Sequence, residues 1–110
     1  MANTFKNKGM ASIGTSNTTV YTCPSSTTST IIGMTVANRS GSNITVSVMV
    51  YDNSANTTYF IVSGATVPTG GSLVVVGGDQ KIVLEASDLV QVNASASSSA
   101  DAFVSVLEQT

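Results

Sequence analysis

The stretch Ile44-Thr45-Val46-Ser47-Val48-Met49-Val50 puts Ile or Val at every second position. Successive side chains of an extended chain point to opposite sides, so a period of two marks a strand with one face in a core. A helix would need apolar residues at i, i+3, i+4 and i+7 over about a dozen residues. The apolar positions here recur at two instead. Thr30 to Ala37 repeats the pattern with Ile32, Met34 and Val36, and Asp101 to Glu108 repeats it with Val104 and Val106 set against Phe103, Ser105 and Leu107. Thr57 to Ser63, Ser72 to Val76, Lys81 to Glu85 and Leu89 to Asn93 add β-branched runs, and Val20-Tyr21-Thr22 a short one. Between them stand turn formers: Asn38 to Ser42, Asp52 to Asn56, Val67 to Gly71, Gly77 to Gln80 and Ala86-Ser87-Asp88.

About seven to eight short strands with a turn every 8 to 12 residues or so predict an all-β chain, a single antiparallel β-sandwich or jelly-roll-like domain. The polar turn at Asn38 to Ser42 predicts a hairpin joining residues 30–37 to 43–51. Residues 1–18 show no such alternation and are expected as a short N-terminal arm able to order on a partner, with the sandwich over 19–110. A length of 110 residues holds one domain.

Composition narrows the chemistry. Charged residues make up 9% of the chain and the net charge is -2, so the basic excess that neutralises phosphates is missing and nucleic acid is not an expected partner. With no His, no Trp and one Cys, a Ser-His-Asp or Cys-His relay, a histidine metal site and an intrachain disulfide are all ruled out. Cys23 precedes Pro24 and has no basic neighbour to activate a thiolate, so it reads as a small buried residue.

The longest apolar run, Leu73-Val74-Val75-Val76, is far short of the roughly 20 residues of a membrane helix, so no membrane partner is expected. Met1 to Lys8 lacks the apolar stretch of an export signal. Gly64, Gly70, Gly71, Gly77 and Gly78 match no phosphate-binding pattern and read as turn glycines. Asp79, Lys81 and Asp88 read as solvated charges rather than a cation site. Paired-carboxylate catalysis would need two of Asp52, Asp79, Glu85, Asp88, Asp101 and Glu108 to meet in a cleft, which spacing leaves open. The expectation is a non-enzyme with no catalytic, cofactor-binding or metal-ligating residue. A weakly charged surface rich in Ser, Thr and Asn offers little protection against self-association and suits a life in an assembly.

Several pieces, taken in order, resemble a family of small bacteriophage virion structural proteins, among them those of phages of cyanobacteria. The pieces are Thr19-Val20-Tyr21-Thr22-Cys23-Pro24, then Ser29 to Asn38 with Ser40-Gly41, then Val67-Pro68-Thr69-Gly70-Gly71-Ser72-Leu73, then Lys81 to Val92, and finally Val104 to Glu108. Two positions depart from the family pattern: Cys23 stands where Val commonly precedes the proline, and Ser87 stands where the corner is often Ala-Gly-Asp.

The resemblance implies a β-sandwich built into the particle in many copies, as a capsid decoration (cement) protein that binds and stabilises the outer shell. The alternative within the class is a tail, fibre or adaptor subunit. Implied partners are the major capsid protein or other virion proteins and further copies of the chain, as a trimer. The chain would be made in the host cytoplasm and end in the virion. No cofactor or catalytic residue is implied. The candidate interface residues are Phe5, Lys6 and Lys8 of the arm, together with Tyr21, Tyr51, Tyr59 and Phe60 where these are not core. A reading of another class is a sugar-binding module using Tyr51, Tyr59 and Phe60 as a stacking platform.

Overall fold

The computed structural model describes residues 2–77 and 80–110. Among them are nine strands and no helix: β1 (Asn3–Ile13), β2 (Thr18–Thr22), β3 (Thr28–Asn38), β4 (Ile44–Asp52), β5 (Thr57–Val67), β6 (Ser72–Val76), β7 (Ile82–Leu84), β8 (Leu89–Ala94) and β9 (Ala100–Gln109). They form two antiparallel sheets. Sheet I has the order β1-β9-β3-β6, with β7 also paired to β3, and sheet II has the order β2-β8-β4-β5. With the three-residue β7 set aside, this is the strand order of a jelly roll, two Greek keys folded over one core. The expected turn at Gly77 to Gln80 and the Asp79 side chain fall partly or wholly outside the described residues.

Alternation along the strands decides what is buried. Ile31, Met34 and Val36 of β3 and Val104 and Val106 of β9 face Val46 and Val48 of β4 and Val90 and Val92 of β8, all at most 2% exposed. Val50 packs at the margin of this core as the alternation requires. Met49 points away from it and is nonetheless buried, in the ladder between Gln91 and Phe60 on the outer side of sheet II.

The expected hairpin between β3 and β4 does not form. β3 pairs with β6, β7 and β9 while β4 pairs with β5 and β8, so Arg39–Asn43 carries the chain from one sheet to the other. Asn38 is what makes this corner. Its buried side chain donates to Ser42 O at 2.8 Å and Val67 O at 3.0 Å and accepts from Ser40 N at 2.8 Å, satisfying backbone groups that a hairpin would have paired.

Within the stretch read as an arm, Asn3–Ile13 is β1, in register with β9 of the same chain from Asn3↔Gln109 to Met10↔Ala102. Only Ile13 and Met10 bring apolar side chains to the core. Backbone hydrogen bonds, with an ion pair from Lys6 to Glu108, hold the rest, which is why hydrophobic periodicity gives no sign of the strand.

At the β7–β8 corner Ser87 has φ 72, a left-handed conformation that costs an L-residue roughly 1 kcal/mol or more. The turn holds it there: Ser87 N donates to Cys23 O at 2.9 Å and Asp88 N to Glu85 O at 3.0 Å. Ser87→Gly removes the Cβ clash but enlarges the freedom of the unfolded chain, and we expect a net gain of about 0.5 kcal/mol. The urea midpoint of the variant checks this, and a lower midpoint would count against strain at Ser87.

Candidate functional site

One polar cluster lies inside the sandwich, at the side where β1 of sheet I meets β2 of sheet II. Tyr21 of β2 is 8% exposed, and its hydroxyl donates to Glu108 Oε2 of β9 at 2.5 Å and lies 2.7 Å from Ser29 Oγ of β3. Cys23 Sγ continues the chain at 3.2 Å from Ser29 Oγ, and Lys6 Nζ of β1 reaches Glu108 Oε1 at 3.0 Å. Ser29 and Glu108 occupy core-facing positions and lie opposite one another in the β3–β9 ladder, which brings both against Tyr21.

Electrostatics follow from this geometry. The Tyr21 hydroxyl, and then Lys6, hold the Glu108 carboxyl below its ordinary range against the opposing effect of burial. Burial first, and then the hydrogen bond to Glu108, push the Tyr21 phenol up. A hollow of about 370 Å³ opens beside the cluster, lined by Lys6, Lys8, Thr19, Tyr21 and Glu108 among others. The cluster joins the two sheets through hydrogen bonds that leave no buried side-chain polar atom unpaired among the described residues.

A second cluster gathers Asp52, Glu85 and Asp88, one carboxylate oxygen of each lying within 4.8 Å of the others. Sequence spacing could not show this meeting. Asp88 is buried and both its oxygens are engaged, Oδ1 by Asn53 N and Oδ2 by Glu85 N, each at 2.9 Å. Asp52 Oδ1 accepts from Ser54 Oγ at 2.8 Å and from the amides of Ser54 and Ala55, which hold its carboxyl below the usual range. These two carboxylates cap the turns they stand in.

The candidate interface residues are scattered. Phe5 is 73% exposed on the outer face of sheet I. Lys6 and Lys8 lie on the opposite face of β1, in register with Val106 and Val104. Tyr21 belongs to the core. Tyr51 is half-buried and its hydroxyl donates to Asn56 Oδ1. Tyr59 and Phe60 are exposed on β5, but Tyr59 pairs with Val50 and Phe60 with Met49, so Phe60 shares the outer face of sheet II with Tyr51 while Tyr59 faces the other way, and the three form no single platform. Sequence reading missed Ser29 and the part played by Glu108, although a Glu continuing the inward alternation of Val104 and Val106 was a usable signal.

No protein-family model and no curated protein matches the sequence. Solved structures match the fold. A chain of the T13 IBDV viral particle superposes with a TM-score of 0.60 at 9% identity, covering 96% of this chain and 30% of that one. A chain from the capsid structure of Helicobacter pylori bacteriophage KHP30 gives 0.56 at 11% identity, covering 98% and 87%. A chain of the Bacillus endospore appendages, a family of disulfide-linked pili, gives 0.53 at 15% identity, covering 98% and 88%. What these chains share with this one is the fold. This chain spans under a third of the IBDV chain and nearly the whole of the other two.

The Tyr21–Glu108 pair makes stability depend on pH at both ends. Glu108 favours its charged form when folded, so its contribution is present above the ordinary 4.5 and is lost as pH falls below that value. Tyr21 favours its neutral form when folded, so its contribution is present below 10.0 and is lost as pH rises above it. Tyr21→Phe should cost about 1–2 kcal/mol at neutral pH and shrink both losses, as read from urea unfolding across pH. An unchanged acid limb would show that Tyr21 does not hold the Glu108 charge.

Proposed function

We propose that this chain is a non-enzymatic structural protein of a virus particle and, more narrowly, a decoration protein on the outer shell of a phage capsid. The observation that carries the reading is the end-to-end match to a chain from a phage capsid structure, 98% of this chain on 87% of that one. It speaks for a small domain standing alone as a capsid component. The IBDV match supports the particle reading less closely, because there the shared fold is one part of a much longer chain.

A protein that binds the assembled shell and not its dissociated subunits stabilises it by mass action, by about 2.7 kcal/mol per site at a free concentration a hundred times its Kd. The exposed side chains offered for that contact are Phe5, Lys6, Lys8, Tyr59 and Phe60, with Tyr51 at the margin. The chain is made in the host cytoplasm and ends in the virion, its partners being the major capsid protein or other virion proteins and copies of itself. Their symmetry, trimer or otherwise, depends on which face they share. The match to an endospore appendage chain of similar length favours the runner-up, a subunit of a tail, fibre or adaptor.

Mass-spectrometric quantification of the chain in purified particles tests both readings. About one copy per major capsid subunit is expected for decoration of the whole shell, and a few per hundred would move the chain to the tail or a vertex. Absence from particles would overturn the virion reading and bring the sugar-binding module forward, to be judged on a glycan array.

A further inference from the structure

The outer face of sheet I is arranged in rows across its strands. Pairing puts Phe5, Leu107, Thr30 and Val83 in one row and Gly9, Phe103, Thr35 and Val74 in another. Four of these side chains are large, apolar and open to solvent: Phe5 at 73%, Val74 at 65%, Val83 at 61% and Phe103 at 52%. Between the rows lies a third of Asn7, Ser105 and Gly33, without charge. The outer face of an antiparallel sheet that meets only water is ordinarily polar, and several large apolar side chains exposed together on one mark a contact.

Charge and relief indicate what covers it. Neither row contains an ionisable side chain. Lys6 and Lys8 lie on the other face of β1, and at the rim Asp101 is paired with Arg39 at 3.2 Å. The two rows can therefore meet their copies without like-charge repulsion, and the exposed Lys81 and Glu85 that stand two residues to either side of Val83 are of opposite sign. The face also carries projections and hollows together. Beside Phe103 is a hollow of about 370 Å³ lined by Gly9, Ala11, Thr35 and Ala37 with Asp101 at its edge, and beside Phe5 one of about 290 Å³ lined by Lys6, Asn7, Ile32 and Ser105. Gly9 lets the Phe103 ring lie close over β1 at the edge of the first hollow, since a Cβ there would stand only 3.3 Å from the ring.

We propose that this face is the contact between two copies of the chain, stacked sheet on sheet about a two-fold axis, with phenyl rings of each copy seated in the hollows of the other. A two-fold contact brings one surface against itself, so it requires a face that is electrically self-compatible and carries both projections and recesses. The area suffices as well. A sheet about 35 Å long and four strands wide has a footprint of roughly 650 Å², hence roughly 1,300 Å² for a pair, within the range of stable specific interfaces. The inference does not depend on the virion reading, and such a pair differs in mass from the trimer implied by the family resemblance.

Sedimentation velocity of the purified chain through a dilution series tests it. The expected species is a pair of 11.2 kDa chains that separates on dilution and is little affected by salt. Val74→Lys and Phe103→Ser should each raise the dissociation constant about tenfold or more, while Phe60→Ser on sheet II should leave it unchanged. Val74→Lys is the deciding variant, because Phe103 also covers Gly9 whereas the Val74 side chain is largely in solvent. Its thermal unfolding should match that of the parent at concentrations where both are monomeric.

A chain that stays monomeric at every concentration would overturn the proposal, as would a dimer or trimer indifferent to Val74→Lys. Neither result bears on whether the chain occurs in particles, so the two proposals fail separately.

Discussion

The meeting of two aliphatic sheet faces carries this structure, and its character comes from the size of the side chains that meet. The core is built from Val, Ile, Ala, Met and Leu with Cys23, and Tyr21 is its one aromatic ring among the described residues. Small β-branched groups fit the pleat and let the sheets close tightly, each fully buried Val contributing about 1.5–3 kcal/mol. Apart from Tyr21, whose hydroxyl is held by Glu108 and Ser29, large rings have no place in such a core. The chain's three phenylalanines, Phe5, Phe60 and Phe103, are all more than half exposed. That inversion of the usual distribution is the strongest physical reason to read the molecule as one made for contact.

Much of the fold was legible. The strands read at 43–51, 72–76, 89–93 and 101–108 correspond to β4, β6, β8 and β9 with small shifts at their ends, while the one read at 57–63 continues as β5 four residues further, through Gly64 to Val67. Alternation reports a strand and its buried face, because both are properties of one segment. It is silent on which strand lies alongside, since any inward-facing neighbour satisfies the same pattern. Hence a polar five-residue turn suggested a hairpin where Asn38 instead sends the chain to the other sheet. β1 escaped detection for a related reason: its polar and apolar residues follow no period, and it is held by the backbone edge that β9 offers.

The polar cluster was the least legible part, because it assembles Tyr21, Ser29, Glu108 and Lys6 from four strands. Its effect on the fold is directional. Apolar faces can slide over one another at modest cost, whereas a buried carboxylate, phenol and hydroxyl satisfy each other only when β2 sits at one height against β3 and β9. Moving any strand by one residue would leave Glu108 without its partner or drive it to the surface. The apolar faces supply most of the cohesion, and these few hydrogen bonds select one arrangement among those the aliphatic side chains would accept.

The β1–β9 ladder runs to the ends of the described chain, where Thr110 N donates to Ala2 O at 3.0 Å and Ala2 N to Thr110 O at 3.2 Å. Residues 2–110 thus trace almost a ring in space. A bridge of a few residues between these ends would close it, and new ends could be opened in an exposed turn such as 53–56. Peptides fused to either end would leave from a single corner of the domain, side by side and travelling in opposite chain directions. A multicopy array of such domains would hold each pair of grafted segments in register at one repeated point.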